Sequence, residues 1–181
     1  MIIENNAERA GVVTFKGSPM TLASGDLTVG SVAPDIELIG AGLAPVSPLA
    51  ASEGKARLFV VVPSVDTSVC SLESKTFSDA LKGFAPDAPV KTFVVSADLP
   101  FAQKRWCGAE GVDNLEMLSD YRSLAWGIAW GVVLKELHLL ARAVFVVGKD
   151  GRVAYREIVP EVASEPDYDA AVAALKSAAA Q

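Results

Sequence analysis

Cys70 is the residue of this chain with the most chemical scope, because of what surrounds it. It ends the stretch PSVDTSVC at 63–70, which follows the run RLFVVV at 57–62. That run is β-branched and aromatic, the pattern of a strand buried on both faces, and Pro63 ends it because proline has no N–H for the ladder. From Val69 onward apolar residues recur at Leu72, Phe77, Ala80, Leu81 and Phe84, close to the spacing of a helix with one buried stripe. Cys70 therefore falls in the first turn of that helix, with Asp66, Thr67 and Ser68 all suited to cap it.

A helix start favours an anion, through its unpaired N–H groups and the positive end of its dipole, and the thiolate is the nucleophilic form of cysteine. The magnitudes show what is missing. A free thiol with a pKa of about 8.5 is only about 3 % ionised at pH 7, and bringing it to about 6 takes roughly 3.4 kcal/mol. A helix terminus supplies about 0.3–1 kcal/mol, and about 2 at best. A reactive Cys70 thus needs a second donor, for which an arginine is best suited. The competing reading is a buried and inert thiol, the common fate of a free cysteine.

The supply of other reactive groups is small. The chain has two cysteines, Cys70 and Cys107, and one histidine, His138. No CxxC is present, so neither a zinc knuckle nor a thioredoxin-type dithiol is written here, and a Cys/His metal cluster cannot be assembled. His138, in KELHLL, reads as a structural or surface residue. The two cysteines are either two buried thiols or one redox couple.

The elements that must position these residues follow from pattern. The length of 181 residues suits one domain, 1–181, with residues 1–11 polar and loose. Short strands at 12–15 and 20–24 form an N-terminal hairpin, and 36–39 is a short strand. Residues 40–56 connect, with one helical turn near 48–52. After the strand at 57–62 and the helix at 68–82 come a strand at 90–96, a helix at 100–107 stopped by Gly108 and Gly111, a strand at 115–118 and a helix at 123–130. A strand at 141–147 turns through Lys149 to Gly151 into a strand at 153–158, and an alanine-rich helix at 166–180, capped by Ser164 or Glu165, closes the chain. Alternating strands and helices with short loops imply an α/β fold, a mixed sheet covered by helices, in thioredoxin-like order.

The composition, 51 % hydrophobic and 21 % charged, is that of an ordinary globular protein. A net charge of −6 without a basic cluster argues against nucleic acid and anionic membrane surfaces as partners. The apolar stretch at 124–134 is too short to span a bilayer, and the acidic start lacks the apolar core of a signal peptide, so a cytoplasmic location is expected.

Four stretches together, PSVDTSVC at 63–70, SADLPFAQKRWCGAEG at 96–111, ARAVFVV at 141–147 and EPDY at 165–168, resemble the bacterial thiol peroxidase subgroup of the peroxiredoxins. The resemblance extends from about Val12 to Lys176. It implies a thioredoxin-like fold that reduces hydrogen peroxide and organic hydroperoxides without metal or flavin cofactor. Carried over by position, Cys70 is the peroxidatic cysteine, Thr67 the hydroxyl that holds thiolate and peroxide, Pro63 the residue that shields the pocket, and Arg142 the arginine that reaches the site from a distant strand. Cys107 is the resolving cysteine, which would form an intrachain disulfide that thioredoxin reduces. A homodimer is implied as well.

Arg142, a charge wedged in an apolar strand, would supply the donor that Cys70 lacks, and it should have a partner of its own. Glu73, one turn beyond Cys70, reads as a solvated helix charge, with a network to Arg142 as the alternative. The segment at 131–141 is shorter than the family commonly carries. A redox sensor that uses the same Cys70–Cys107 switch on a protein partner is the other functional class the sequence allows.

Overall fold

The sheet that carries the site grows from runs whose residues all read as buried. In the computed structural model, which describes residues 7–181, the chain runs β1 (Arg9–Phe15), β2 (Ser18–Leu22), β3 (Leu38–Ile39), β4 (Pro45–Val46), β5 (Ala56–Val61), α1 (Ser68–Leu81), β6 (Val90–Ser96) and α2 (Pro100–Glu110). There follow β7 (Glu116–Ser119), α3 (Ala125–Trp130), β8 (Val133–Leu134), β9 (Leu139–Leu140), β10 (Ala143–Val147), β11 (Val153–Ile158) and α4 (Tyr168–Ala180).

Among the described residues the main sheet has seven strands in the order β11-β10-β5-β6-β7-β3-β4. β5, β6 and β7 are parallel, as the crossovers through α1 and α2 require, and the remaining pairs are antiparallel. Alternation along β5 sorts the core into two layers. Phe59 and Val61 face Trp126 and Trp130 of α3, whose rings stack at 4.3 Å, while Leu58 and Val60 face Phe77, Trp106 and Leu175 from α1, α2 and α4. This is the thioredoxin-like α/β arrangement expected from the order of elements.

The N-terminal hairpin expected from the sequence is present, with β1 pairing β2 through a two-residue turn at Lys16 and Gly17. Its first strand is longer than expected, and its second, equal in length to the expected one, lies two residues earlier. Of the segment expected to be loose, residues 1–6 lie outside the described residues, whereas Arg9–Gly11 belong to β1, where Arg9 bonds Ser24 O, Asp26 and Gly131 O. The segment at 131–141, for which the sequence pattern predicts no strand before residue 141, forms the tight pair β8–β9, which joins the hairpin in a second, four-stranded sheet. Gly127 allows this packing, since a Cβ there would stand 2.8 Å from Val133 Cγ2.

Two helix boundaries also differ. Gly108 does not stop α2, which continues to Glu110 and ends at Gly111 in the left-handed region (φ 66°). Cys107 consequently lies inside a regular helix. α4 starts two residues later than expected, capped by Asp167, whose carboxylate accepts from Ala170 N at 2.9 Å, and not by Ser164 or Glu165. No described helix is long and apolar enough to cross a membrane.

Candidate active site

The loop at 63–67 is fixed before α1 begins. Asp98, just past β6, accepts from Ser64 Oγ at 2.7 Å, Val65 N at 2.8 Å and Ser96 Oγ at 2.7 Å. That network aims the chain into the helix, and Thr67, extended at φ −105° and ψ 147°, is its N-cap. Of the three candidate caps, Thr67 is thus the one used. Its hydroxyl oxygen accepts from Cys70 N at 3.4 Å and donates to Cys70 Sγ at 2.7 Å. One side chain both starts the helix and touches the sulfur.

Arg142 arrives from the neighbouring strand, immediately before β10, which pairs antiparallel with β5. It is 2 % exposed and fully bonded: Nε donates to Val162 O at 2.9 Å, Nη2 to Cys70 Sγ at 3.3 Å, and Nη1 to the carboxylate of Glu73. The partner that a buried guanidinium needs is therefore Glu73, and the reading of Glu73 as a solvated charge is corrected: it is 0 % exposed. The sequence carried only a partial signal, compatible with a surface charge as well. Glu73 is three positions from Cys70 and so shares its helix face, and a lone arginine in an apolar strand calls for a carboxylate.

Burial pushes the Glu73 carboxyl up, to about 8, against the pull of Arg142. Its Oε1 has no hydrogen-bond partner. One guanidinium here serves two acids, Cys70 and Glu73. A buried site with a single cation accommodates one anion at low cost, and burial puts Glu73 on the protonated side of that balance.

Above these residues opens a cavity of about 310 Å³, more enclosed than a surface groove. Thr67 and Arg142, the two donors to Sγ, form part of its lining, with Pro63, Val69, Phe15, Leu134, Leu137, Leu139 and Val162 supplying a largely apolar wall. Pro63 lines the cavity beside Thr67. Cys70 itself is 1 % exposed, covered behind its donors. His138 is exposed, at a left-handed turn (φ 51°), and does not line this cavity, although its neighbours Leu137 and Leu139 do.

Cys107 is half-buried on α2 and lines a different feature, an open groove of about 440 Å³ with Pro100, Gln103, Lys104 and Met117. Burial pushes its thiol up, which keeps it protonated at neutral pH. Both cysteines are free thiols. The helices that carry them are joined beside each sulfur, since Trp106 Nε1 donates to Ser71 Oγ at 3.1 Å, with exposed ion pairs Lys75–Glu110 and Arg105–Asp66 at 2.8 and 3.2 Å.

A hydroxyl and a guanidinium converging on one sulfur at the floor of an apolar cavity is an arrangement for thiolate chemistry. A family model described as Redoxin matches residues 28–172. The chain is 48 % identical over 166 residues to a thiol peroxidase of Listeria monocytogenes serotype 4b (strain F2365), covering 92 % of this chain and 98 % of that protein. This chain belongs to the redoxin family, in the thiol peroxidase subgroup of the peroxiredoxins. A thiol peroxidase of Staphylococcus aureus (strain COL) is 49 % identical, covering 91 % of this chain and 98 % of its own. Among solved structures, a peroxiredoxin-like protein from Aquifex aeolicus superposes with a TM-score of 0.83 at 35 % identity, covering 95 % of this chain and 99 % of its own. Two side chains donate to Cys70 Sγ, Thr67 and Arg142, whereas Cys107 lies in the separate groove on α2.

Proposed function

We propose that the chain is a thiol-dependent peroxidase that reduces hydrogen peroxide and organic hydroperoxides at Cys70. The observation that carries this reading is the pair of donors on Sγ, Thr67 Oγ1 at 2.7 Å and Arg142 Nη2 at 3.3 Å. Peroxide cleavage is a displacement on oxygen. The Cys70 thiolate attacks the terminal oxygen, an S–O bond forms as the O–O bond breaks, and the departing alkoxide or hydroxide takes a proton to leave as alcohol or water. Arg142 and Thr67 donate to the reacting atoms and stabilise charge on the leaving oxygen, so both sulfur and peroxide are aligned by groups already in place.

The sulfenic acid at Cys70 is reversible, while the higher oxides are not readily reduced. Cys107 resolves it: its thiol gives up a proton, its sulfur attacks Cys70 Sγ, and water leaves as the intrachain disulfide forms. An external dithiol of the thioredoxin type returns both cysteines to thiols, so the reducing equivalents come from that partner and no metal or flavin takes part. Since Cys70 lies behind Thr67 and Arg142 and Cys107 faces another groove, both helix segments must unwind locally for the sulfurs to meet. A homodimer and a cytoplasmic location belong to the same reading.

Stopped-flow tryptophan fluorescence of the reduced protein tests it. Mixing with hydrogen peroxide is expected to give rapid oxidation that Cys70→Ser abolishes and that Cys107→Ser halts at the sulfenic acid. Oxidation no faster than that of a free thiol would sink the proposal. Fast formation of the disulfide without turnover by thioredoxin would favour the sensor reading.

A further inference from the structure

Glu161 lies outside every motif discussed so far, yet its carboxylate accepts four hydrogen bonds. Oε1 takes Lys16 N at 3.0 Å and Ala163 N at 2.9 Å; Oε2 takes Gly17 N at 3.0 Å and Thr14 Oγ1 at 2.8 Å. Three of these donors belong to the tip of the β1–β2 hairpin. The backbone is locked in the same place, with Thr14 N donating to Pro160 O at 2.7 Å and Val162 N to Thr14 O at 2.8 Å.

The turn held in this way is a strained one. Both of its central residues have positive φ, Lys16 at 51° and Gly17 at 78°. Such a turn suits the twist of a hairpin but favours Asn-Gly at these positions, and a lysine there is disfavoured. Glu161 bonds the N–H groups of those same two residues. The hairpin tip in turn supplies Phe15 and Lys16 to the wall of the cavity over Cys70. On the other side of Glu161, Val162 O holds Nε of Arg142.

We infer that Glu161 is a positioning residue that fixes the Phe15–Lys16 wall of the cavity, and so sets how well bulky apolar hydroperoxides are used relative to hydrogen peroxide. The inference rests on the peroxidase reading. Hydrogen peroxide needs only Cys70, Thr67 and Arg142, whereas a cumyl or alkyl group gains its affinity from burial against the wall. A wall that is free to move loses that part selectively.

The test is the second-order rate of oxidation of the reduced full-length protein, followed by tryptophan fluorescence, with cumene hydroperoxide and with hydrogen peroxide. In Glu161→Gln, whose amide turns an N–H against two of the four donors, the ratio of the cumene rate to the hydrogen peroxide rate is expected to fall about tenfold, equivalent to roughly 1.4 kcal/mol. Thr14→Val, which removes one of the four bonds to Glu161 and the longer contact of the same hydroxyl to Pro160 O at 3.3 Å, and leaves the fold's charges untouched, should shift the ratio in the same direction by less. A ratio that stays constant in both variants, whether both rates hold or both drop together, would overturn the inference, because Glu161 would then act only through Val162 and Arg142 or not at all. Failure of the wild type to react quickly with either peroxide is a separate result, and it removes the peroxidase reading on which the inference rests.

Discussion

Nη2 of Arg142 stands 3.3 Å from Sγ of Cys70, although 72 positions separate the two in sequence. The contact exists because β10 and β5 are antiparallel neighbours, so the residue before β10 lies beside the loop that follows β5. Removing the guanidinium should therefore cost in two ways. Arg142→Ala leaves the buried Glu73 carboxyl without its hydrogen-bond partner, and destabilisation of about 1–3 kcal/mol in urea unfolding is expected. The rate with hydrogen peroxide should fall by about a hundredfold or more, as for loss of a preorganised donor. The pair variant Arg142→Met with Glu73→Leu separates these effects. It should recover much of the stability and none of the activity; recovery of both would mean that the guanidinium is structural.

Thr67 combines a cap with a donor, and two substitutions tell these roles apart. Thr67→Ser keeps a hydroxyl in both places and should retain most of the peroxidase rate. Thr67→Val keeps the shape and loses both bonds, with an expected loss of about 1 kcal/mol of stability from the missing cap. Its rate should drop about a hundredfold. A valine variant that turns over peroxide at the wild-type rate would leave Thr67 with the cap alone.

The pH dependence of stability has opposite signs at its two ends. Burial raises Glu73 to about 8 and Asp120, which accepts from Trp126 N and Gly127 N, to about 6. Between the ordinary carboxylate range and those values the unfolded chain binds fewer protons than the folded one, so both contributions are present below about pH 4 and are lost as pH rises. Glu161 is the reverse case. The N–H groups of Ala163 and Gly17, the Thr14 hydroxyl and the N–H of Lys16 hold it down at about 2, so its contribution is present above its ordinary value of 4.5 and is lost as pH falls towards 2. Melting temperatures from pH 3 to 9 check this. The gap between wild type and Glu73→Gln should narrow with rising pH, and that between wild type and Glu161→Gln should narrow with falling pH.

Much of the site was legible because local rules governed it. The apolar run into β5, the proline that ends it and the hydroxyl three positions before Cys70 all act within a dozen residues, and alternation and helical spacing report such features directly. Arg142 was legible for another reason, since a charge in an apolar strand has to be explained. Glu73 and Glu161 were not, because their partners are set by tertiary packing. Glu73 has the same sequence signature as a surface charge, and Glu161 meets the hairpin tip across 145 positions. The β8–β9 pair escaped detection because two-residue strands are too short for alternation to show. Gly108 was misread as a stop because a glycine within a helix carries a cost that packing can override.

Trp106 offers a way to time the second chemical step. Its Nε1 donates to Ser71 Oγ at 3.1 Å, so the residue next to Cys107 is bonded to the residue next to Cys70. That bond stabilises α1 and α2 as intact helices, and in the proposed resolution step both open locally for the sulfurs to join. Ser71→Ala removes the acceptor without touching either thiol. The fluorescence phase assigned to disulfide formation should become several-fold faster in this variant, and the initial phase of sulfenic acid formation should keep its dependence on peroxide concentration. Faster resolution also leaves less time for a second peroxide to attack, so the fraction of Cys70 lost to sulfinic acid at high peroxide should fall, as mass spectrometry would register. An unchanged second phase would mean that opening of these helices is limited elsewhere, with the Asp98 network that holds Ser64 and Val65 as the next place to cut.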